Sequence, residues 1–197
     1  MNRKVTIERN TKETQIKIAL NLDGTGKYDI RASVGFLEHM LELLAKHSLI
    51  DLKIEATGDT NRDNHHLIED VGIVLGQAIK KALGDKLGIK RYGSATIPMD
   101  EVLCLCALDL SGRYSFETNY AQVRETVNDF PTEMFRDFWK ALALNAEINL
   151  HIQFLNSGEN EHHRIEAAFK AFARALRAAC EIDERAKNTL PSTKGKL

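Results

Sequence analysis

The amino-acid sequence predicts an α+β fold made by internal duplication: two similar halves, each a four-stranded sheet with two helices on one face, the helices facing each other across a shared core. Two observations carry this. The stretch Asp63-Asn64-His65-His66-Leu67-Ile68-Glu69-Asp70 returns in altered form as Glu159-Asn160-Glu161-His162-His163-Arg164-Ile165-Glu166, so His-His-x-x-Glu occurs twice. Around both copies the apolar periods also follow the same order: three strands, a helix, a strand and a helix.

In the first half, Val5 and Ile7, then Ile16, Ile18, Leu20 and Leu22, alternate as two strands over residues 3–9 and 14–22. Asp23-Gly24-Thr25-Gly26 is a turn signal, and Tyr28 and Ile30 continue as a third strand. The period then changes. Phe36, Leu37, Met40, Leu41 and Leu44 form a helical stripe from Val34 to about His47, with Ser33 placed to cap it. Leu52, Ile54 and Ala56 give a strand stopped at Gly58-Asp59, and a helix from about Asn64 to Leu83 turns Leu67, Val71, Val74, Leu75 and Ala78 inward before Gly84.

The second half repeats this with strands at Ser94 to Ile97, Val102 to Leu110 and Tyr114 to Asn119. A helix follows Pro131, a residue suited to a first helical turn, and a strand at Ile148 to Phe154 and a helix from Glu161 to Cys180 complete the set. The segment from Ala121 to Asp129 carries no motif. The expected division is residues 1–92, 93–186 and a tail at 187–197.

The 197 residues suffice for one large core without a covalent staple. With 27 basic against 28 acidic residues there is no basic footprint for nucleic acid, so an anionic partner must be met by local charges. Three cysteines are an odd set, and Cys104 and Cys106 read as same-face strand residues, which suits a reducing cytoplasm. The N-terminal residues form no apolar signal core, and no run approaches the ~18 apolar residues of a membrane span. A cytoplasmic protein is expected.

Each His-His-x-x-Glu opens a helix. His65 and Glu69 are four apart, as are His162 and Glu166, so each pair shares a helix face and suits one metal ion. The neighbouring His66 or His163 is rotated by roughly 100° and points to a different site. Capping by Asp63, Asn64 or Asn160 explains the polar helix starts, yet it leaves unexplained why four of the seven histidines fall in one repeated pattern. Aligning the halves brings Phe36-Leu37-Glu38-His39 over Phe135-Arg136-Asp137-Phe138, and Leu52-Lys53-Ile54 over Leu150-His151-Ile152. Each half thus adds one unmatched histidine, His39 or His151. Six imidazoles and two carboxylates are enough for two ions at four protein ligands each. Histidine with carboxylate suits Mn, Fe, Zn, Co or Ni. Because the adjacent histidines diverge, a full ligand set is most easily completed across subunits. His47, at a helix end, reads equally well as a cation near the negative dipole end.

Gly35-Phe36-Leu37-Glu38-His39-Met40-Leu41, the Asp63 to Gln77 block, Ala107-Leu108-Asp109-Leu110-Ser111-Gly112-Arg113, Glu159 to Lys170 and the tail Pro191-Ser192-Thr193-Lys194-Gly195 together resemble the imidazoleglycerol-phosphate dehydratase family of histidine biosynthesis. The resemblance implies a hydro-lyase that converts imidazole glycerol phosphate to imidazole acetol phosphate with two Mn(II) ions per active site. It implies metal ligands at His39, His65, His66, Glu69, His151, His162, His163 and Glu166, a catalytic acid/base at Glu13, and substrate or phosphate contacts at Arg91, Arg113, Lys170, Ser192, Thr193 and Lys194. It also implies a homo-oligomer of twenty-four subunits built from trimers, with sites between subunits.

The proton to be removed has no carbonyl beside it, so a carboxylate needs an activated ring: were both ring nitrogens to meet metal, as the resemblance implies, the ring could be held as an imidazolate and expel the hydroxyl through a diazafulvene-like intermediate. Glu13 would then move the proton, with metal-bound water or His47 assisting the leaving hydroxyl. Two departures stand out, Asn64 where the family usually has Asp and Tyr114 where it has Pro. The first is expected to weaken support for the neighbouring histidine and the second to loosen the loop that aims Arg113. Two other readings remain at this stage: a metal-storing or metal-sensing protein, and a metal-assisted phosphoester hydrolase, which would release phosphate.

Overall fold

The computed structural model describes residues 3–197. The first half runs β1 (Lys4–Asn10), β2 (Thr14–Asn21), β3 (Tyr28–Arg31), α1 (Gly35–Ser48), β4 (Asp51–Gly58) and α2 (His65–Leu83). The second runs β5 (Tyr92–Met99), β6 (Val102–Asp109), β7 (Ser115–Thr118), β8 (Thr126–Val127), β9 (Phe130–Pro131), α3 (Met134–Ala146), β10 (Asn149–Asn156) and α4 (Glu161–Cys180). The two four-stranded sheets have equivalent orders, β1-β2-β4-β3 and β5-β6-β10-β7, and in each the last pair is parallel. Lys53 on β4 lies opposite Ala19 and Asp29, and His151 on β10 lies opposite Ala107 and Glu117, so these two residues hold the same ladder position.

Strand alternation buries Ile16, Ile18, Leu52 and Ile54 of one sheet and Cys104, Cys106, Leu150 and Ile152 of the other. The helices pack on these faces and on each other across the halves, α2 on α3 and α1 on α4. The α2–α3 contact is close because α2 carries glycines: a Cβ at Gly72 would lie 2.7 Å from the Phe138 carbonyl oxygen, and one at Gly76 2.5 Å from that of Leu142. Beyond that contact Trp139 packs at 4.6 and 4.8 Å from Phe169 and Phe172, filling the core with aromatic area. Burial raises the thiols of Cys104 and Cys180 to about 12, which suits inert core residues. No described helix is long and apolar enough to cross a membrane.

Two local expectations are corrected. Ser33 does not cap α1: its backbone is left-handed, and its hydroxyl donates to the Ala56 carbonyl. Pro131 is not in a first helical turn, because it pairs with Thr126 in the short β8–β9 ladder and α3 starts at Met134. β8 lies in the segment without a motif and β9 just after it, and the ladder has no counterpart between β3 and α1.

Candidate metal centre

α2 and α4 begin at the duplicated motif, and helical geometry separates the adjacent histidines. The rings of His65 and His66 are 6.0 Å apart at 85°, and those of His162 and His163 6.2 Å apart at 80°. Within each copy the first histidine faces its glutamate. His162 Nε2 lies 3.0 Å from Glu166 Oε2, and His65 Nε2 lies 3.8 Å from Glu69 Oε2. Because α1 packs on α4, His39 Nε2 comes within 3.5 Å of the same Glu166 oxygen. His39, His162 and Glu166 thus offer two imidazole nitrogens and a carboxylate oxygen mutually within 4.8 Å, a donor set that suits a divalent transition metal. Phe36 meets the His162 ring edge-on at 5.1 Å. Lys170 Nζ lies 2.5 Å from Glu166 Oε1. Burial pushes the Glu166 carboxyl up, but Lys170 and His162 outweigh it and hold it below its usual value.

The second histidine of each pair meets other carboxylates. His66 Nδ1 lies 3.2 Å from Asp59 and 3.9 Å from Glu13, and its pKa is raised, mainly by the Asp59 hydrogen bond. His163 Nδ1 lies 2.8 Å from Glu101 Oε2 and its Nε2 3.5 Å from Asp100. The other Glu101 oxygen accepts from the backbone N–H groups of Asn160 and Glu159, and together these hold its pKa down at about 2, the His163 contact contributing most. The approach needs Gly158, whose φ is +58° and whose Cβ would lie 2.4 Å from Glu101 Cγ. Sequence reasoning missed Asp59, Asp100 and Glu101. Their only signal was a place in turns beside the strands, which fits any solvated loop.

Glu13 sits in the β1–β2 turn, exposed, where Thr11 Oγ1 accepts from the N–H groups of Glu13 and Thr14. Buried Asp70, next to Glu69 on α2, accepts from Thr14 Oγ1 at 2.5 Å and from Arg9 Nε at 3.0 Å, so the helix holds the turn. His47 differs from its reading as a helix-end cation. Burial, then Lys170 and Arg174, lower its pKa and favour the neutral ring.

The remaining predicted site residues lie apart from the histidines. His151 is exposed on the outer face of β10, and among the described residues it belongs to no three-donor cluster. Arg91 binds Asp109 through Nε at 2.7 Å and Nη2 at 3.0 Å, donates from Nη1 to the Pro191 carbonyl and lies over the Tyr92 ring. Arg113 is exposed; the Ser111 hydroxyl accepts from its N–H and Asn149 donates to its carbonyl. In the tail, Ser192 Oγ donates to the Lys196 carbonyl and accepts from Lys194 N–H, while Thr193 and Lys194 are exposed. Asn64 donates at 2.6 Å to the Asp129 carbonyl, and it is Asp63 that accepts from His65 N–H. A carboxylate at position 64 has no proton for that bond.

Fold and side chains define a class, a duplicated α+β scaffold that presents histidine–carboxylate donor sets on the first turns of its paired helices. The family model described as imidazoleglycerol-phosphate dehydratase matches residues 32–176. The imidazoleglycerol-phosphate dehydratase of Geobacter sulfurreducens is 51% identical over 197 residues, all of both chains, and that of Pseudomonas fluorescens Pf-5 is 52% identical over 99% of this chain and 98% of its own. The Staphylococcus aureus imidazoleglycerol-phosphate dehydratase structure superposes with a TM-score of 0.83 at 40% identity, covering 91% of this chain and 99% of its own. The Pyrococcus furiosus enzyme, solved in complex with (S)-C348, gives 0.81 at 35% identity, covering 97% of this chain and 100% of its own. This chain belongs to the imidazoleglycerol-phosphate dehydratase family.

Proposed function

We propose that this protein is a cytoplasmic hydro-lyase of histidine biosynthesis that dehydrates D-erythro-imidazole-glycerol phosphate to imidazole acetol phosphate. The observation that carries the reading is the meeting of His39 from one half with His162 and Glu166 from the other, in a chain of this family. Two Mn(II) ions per active site fit the nitrogen and oxygen donors. His39, His162 and Glu166 belong to one set and His65 and Glu69 to another, with His66, His163 and His151 as the further ligands. When bound, the ions supply Lewis acidity that stabilises negative charge on the substrate's imidazole ring.

The reaction removes a hydroxyl from one carbon and a proton from its neighbour, and the resulting enol becomes the ketone with the phosphate retained. Glu13, on a turn held by Thr14 and Asp70, takes the carbon-bound proton. His47, whose pKa is lowered by burial and then by Lys170 and Arg174, assists proton movement at the leaving hydroxyl. Lys170, Arg91, Arg113 and the Ser192, Thr193 and Lys194 tail bind the substrate and its phosphate, for which ammonium and guanidinium groups are suited.

Two features support completion of each site by another copy of the chain, in trimers that build a twenty-four-subunit particle. The His65–Glu69 set has Phe138 where its counterpart has His39. His151 meanwhile stands on an outer sheet face with half-buried Leu103, Leu105 and Ala107, whereas the other sheet's outer face carries the pairs Lys17–Glu8 and Lys53–Glu55. A ligand on an apolar face suits contact with a second subunit.

The test is turnover of the substrate by Mn(II)-loaded protein, following keto product and free phosphate together. Keto product without phosphate, lost on chelation and restored by Mn(II), supports the dehydratase reading. Phosphate without ketone would transfer support to a hydrolase. Metal uptake with neither product would favour a storage or sensing role.

A further inference from the structure

The β8–β9 hairpin reaches from the second half to the first turns of both ligand-bearing helices of the first. Asp129 Oδ2 accepts from Gly35 N–H at 2.5 Å and Oδ1 from Phe36 N–H at 3.0 Å, at the start of α1. No local group does this, because the Val34 cap offers no acceptor and Glu38 is occupied by the N–H groups of Ala32 and Ser33. The Asp129 carbonyl also accepts from Asn64, the residue that opens α2. Next to it Phe130 packs edge-on against Phe36 at 5.7 Å, and Phe36 in turn packs edge-on against His162.

We propose that Asp129 is a positioning residue for the donor set of His39, His162 and Glu166. This rests on the reading of that set as a metal site. His39 is one turn into α1, so any tilt of the first turn moves its Nε2 relative to Glu166 on α4. Asp129 satisfies two N–H groups that the helix leaves unpaired and thereby fixes that tilt from the half that carries the other two donors. The same contact seats Phe36 against the His162 ring. The hairpin therefore sets how closely the donors of the two halves approach.

The experiment compares full-length wild type with Asp129→Ala, Asp129→Asn, Glu166→Gln and Asp51→Asn, the last a variant at the start of β4 that belongs to none of the donor sets. Free Mn(II) is counted by electron paramagnetic resonance during titration, and the His162 ring signals are followed by NMR in metal-free protein. Asp129→Ala is expected to weaken Mn(II) binding by about 10–100-fold and to shift the His162 signals. Asp129→Asn, with one acceptor oxygen for two N–H groups, is expected between it and wild type, and Asp51→Asn to bind Mn(II) as wild type does. A lower melting temperature for Asp129→Ala with wild-type Mn(II) binding and unmoved His162 signals would overturn the inference and leave a purely structural cap. If Asp129→Ala does not fold, Asp129→Asn decides on the same two readouts. Wild-type Mn(II) binding by Glu166→Gln would show that the metal reading itself is wrong, and the inference falls with it. Loss of Mn(II) in Glu166→Gln but in neither Asp129 variant overturns the inference alone.

Discussion

Glu69 and Glu166 hold the same position in the same motif, but their side chains are 45% and 8% exposed. The difference comes from the partner helix: α1 brings His39 over Glu166, while the aligned residue on α3 is Phe138. Among the described residues Glu166 has three ion-pair partners, His39 from α1 and His162 and Lys170 from its own helix, and Glu69 has one, His65. If Glu13 takes the proton as proposed, Glu13→Gln should lower turnover by about 10²–10⁴-fold while Mn(II) binding stays as in wild type; an unchanged rate would remove Glu13 from the chemistry. Thr14→Val breaks the bond to Asp70 that holds the Glu13 turn. It is expected to cost up to about 100-fold in kcat with metal binding intact, and Thr14→Ser should restore the rate. Equal rates in the Val and Ser variants would dissociate the turn from Glu13's role.

Between elements, close approach and loop anchoring decide what a substitution does. Gly76→Ala gains about 1 kcal/mol of helix propensity, but its Cβ meets backbone atoms of α3 that no rotamer change can move. A net loss of about 1–3 kcal/mol, read by denaturant unfolding, is expected. The loop between β2 and β3 is tied to β4 by Asp51, whose Oδ1 accepts from the N–H groups of Thr25 at 2.8 Å and Lys27 at 3.0 Å. These bonds, that of Thr25 first, lower the Asp51 pKa below its usual 3.8. A depressed folded-state pKa gives stability that is present above 3.8 and lost as the pH falls through the folded value. Wild type should therefore melt above Asp51→Asn at neutral pH, and the gap should close on acidification below that value. A gap independent of pH would assign the difference to packing.

For the whole molecule, the decisive property is whether a site belongs to one chain or to several. His39→Ala and His151→Ala are each expected to be inactive alone. After unfolding and reassembly together, the mixture should regain a fraction of wild-type turnover, because sites completed between chains as proposed would in part receive His39 from one chain and His151 from another. No recovery in a fully reassembled mixture would place both histidines in the same chain's site. Thorough chelation should also lower the sedimentation coefficient if metal is shared between chains as proposed, because metal binding would then contribute to assembly.

Much of this was legible in the residue order. The alternation of Ile16, Ile18 and Leu20 and the helical stripe through Phe36, Met40 and Leu44 report burial directly, because strand and helix periods turn every second or every third to fourth residue to one face. The duplicated His-His-x-x-Glu was legible for the same reason, since spacing within one helix is already geometry. The family resemblance named Glu13, the arginines and the tail, which no period marks. Asp129, Glu101 and Asp59 carried no signal, because a carboxylate in a turn looks alike whether it faces water or a helix end far away in the chain. By itself the sequence determined the two halves, their elements and the helix-borne donors, all consequences of local periodicity. Only the tertiary structure decided that His39 meets Glu166 and that Asp129 caps α1, because these depend on which helices pack together and how closely, and packing joins residues that no local rule connects.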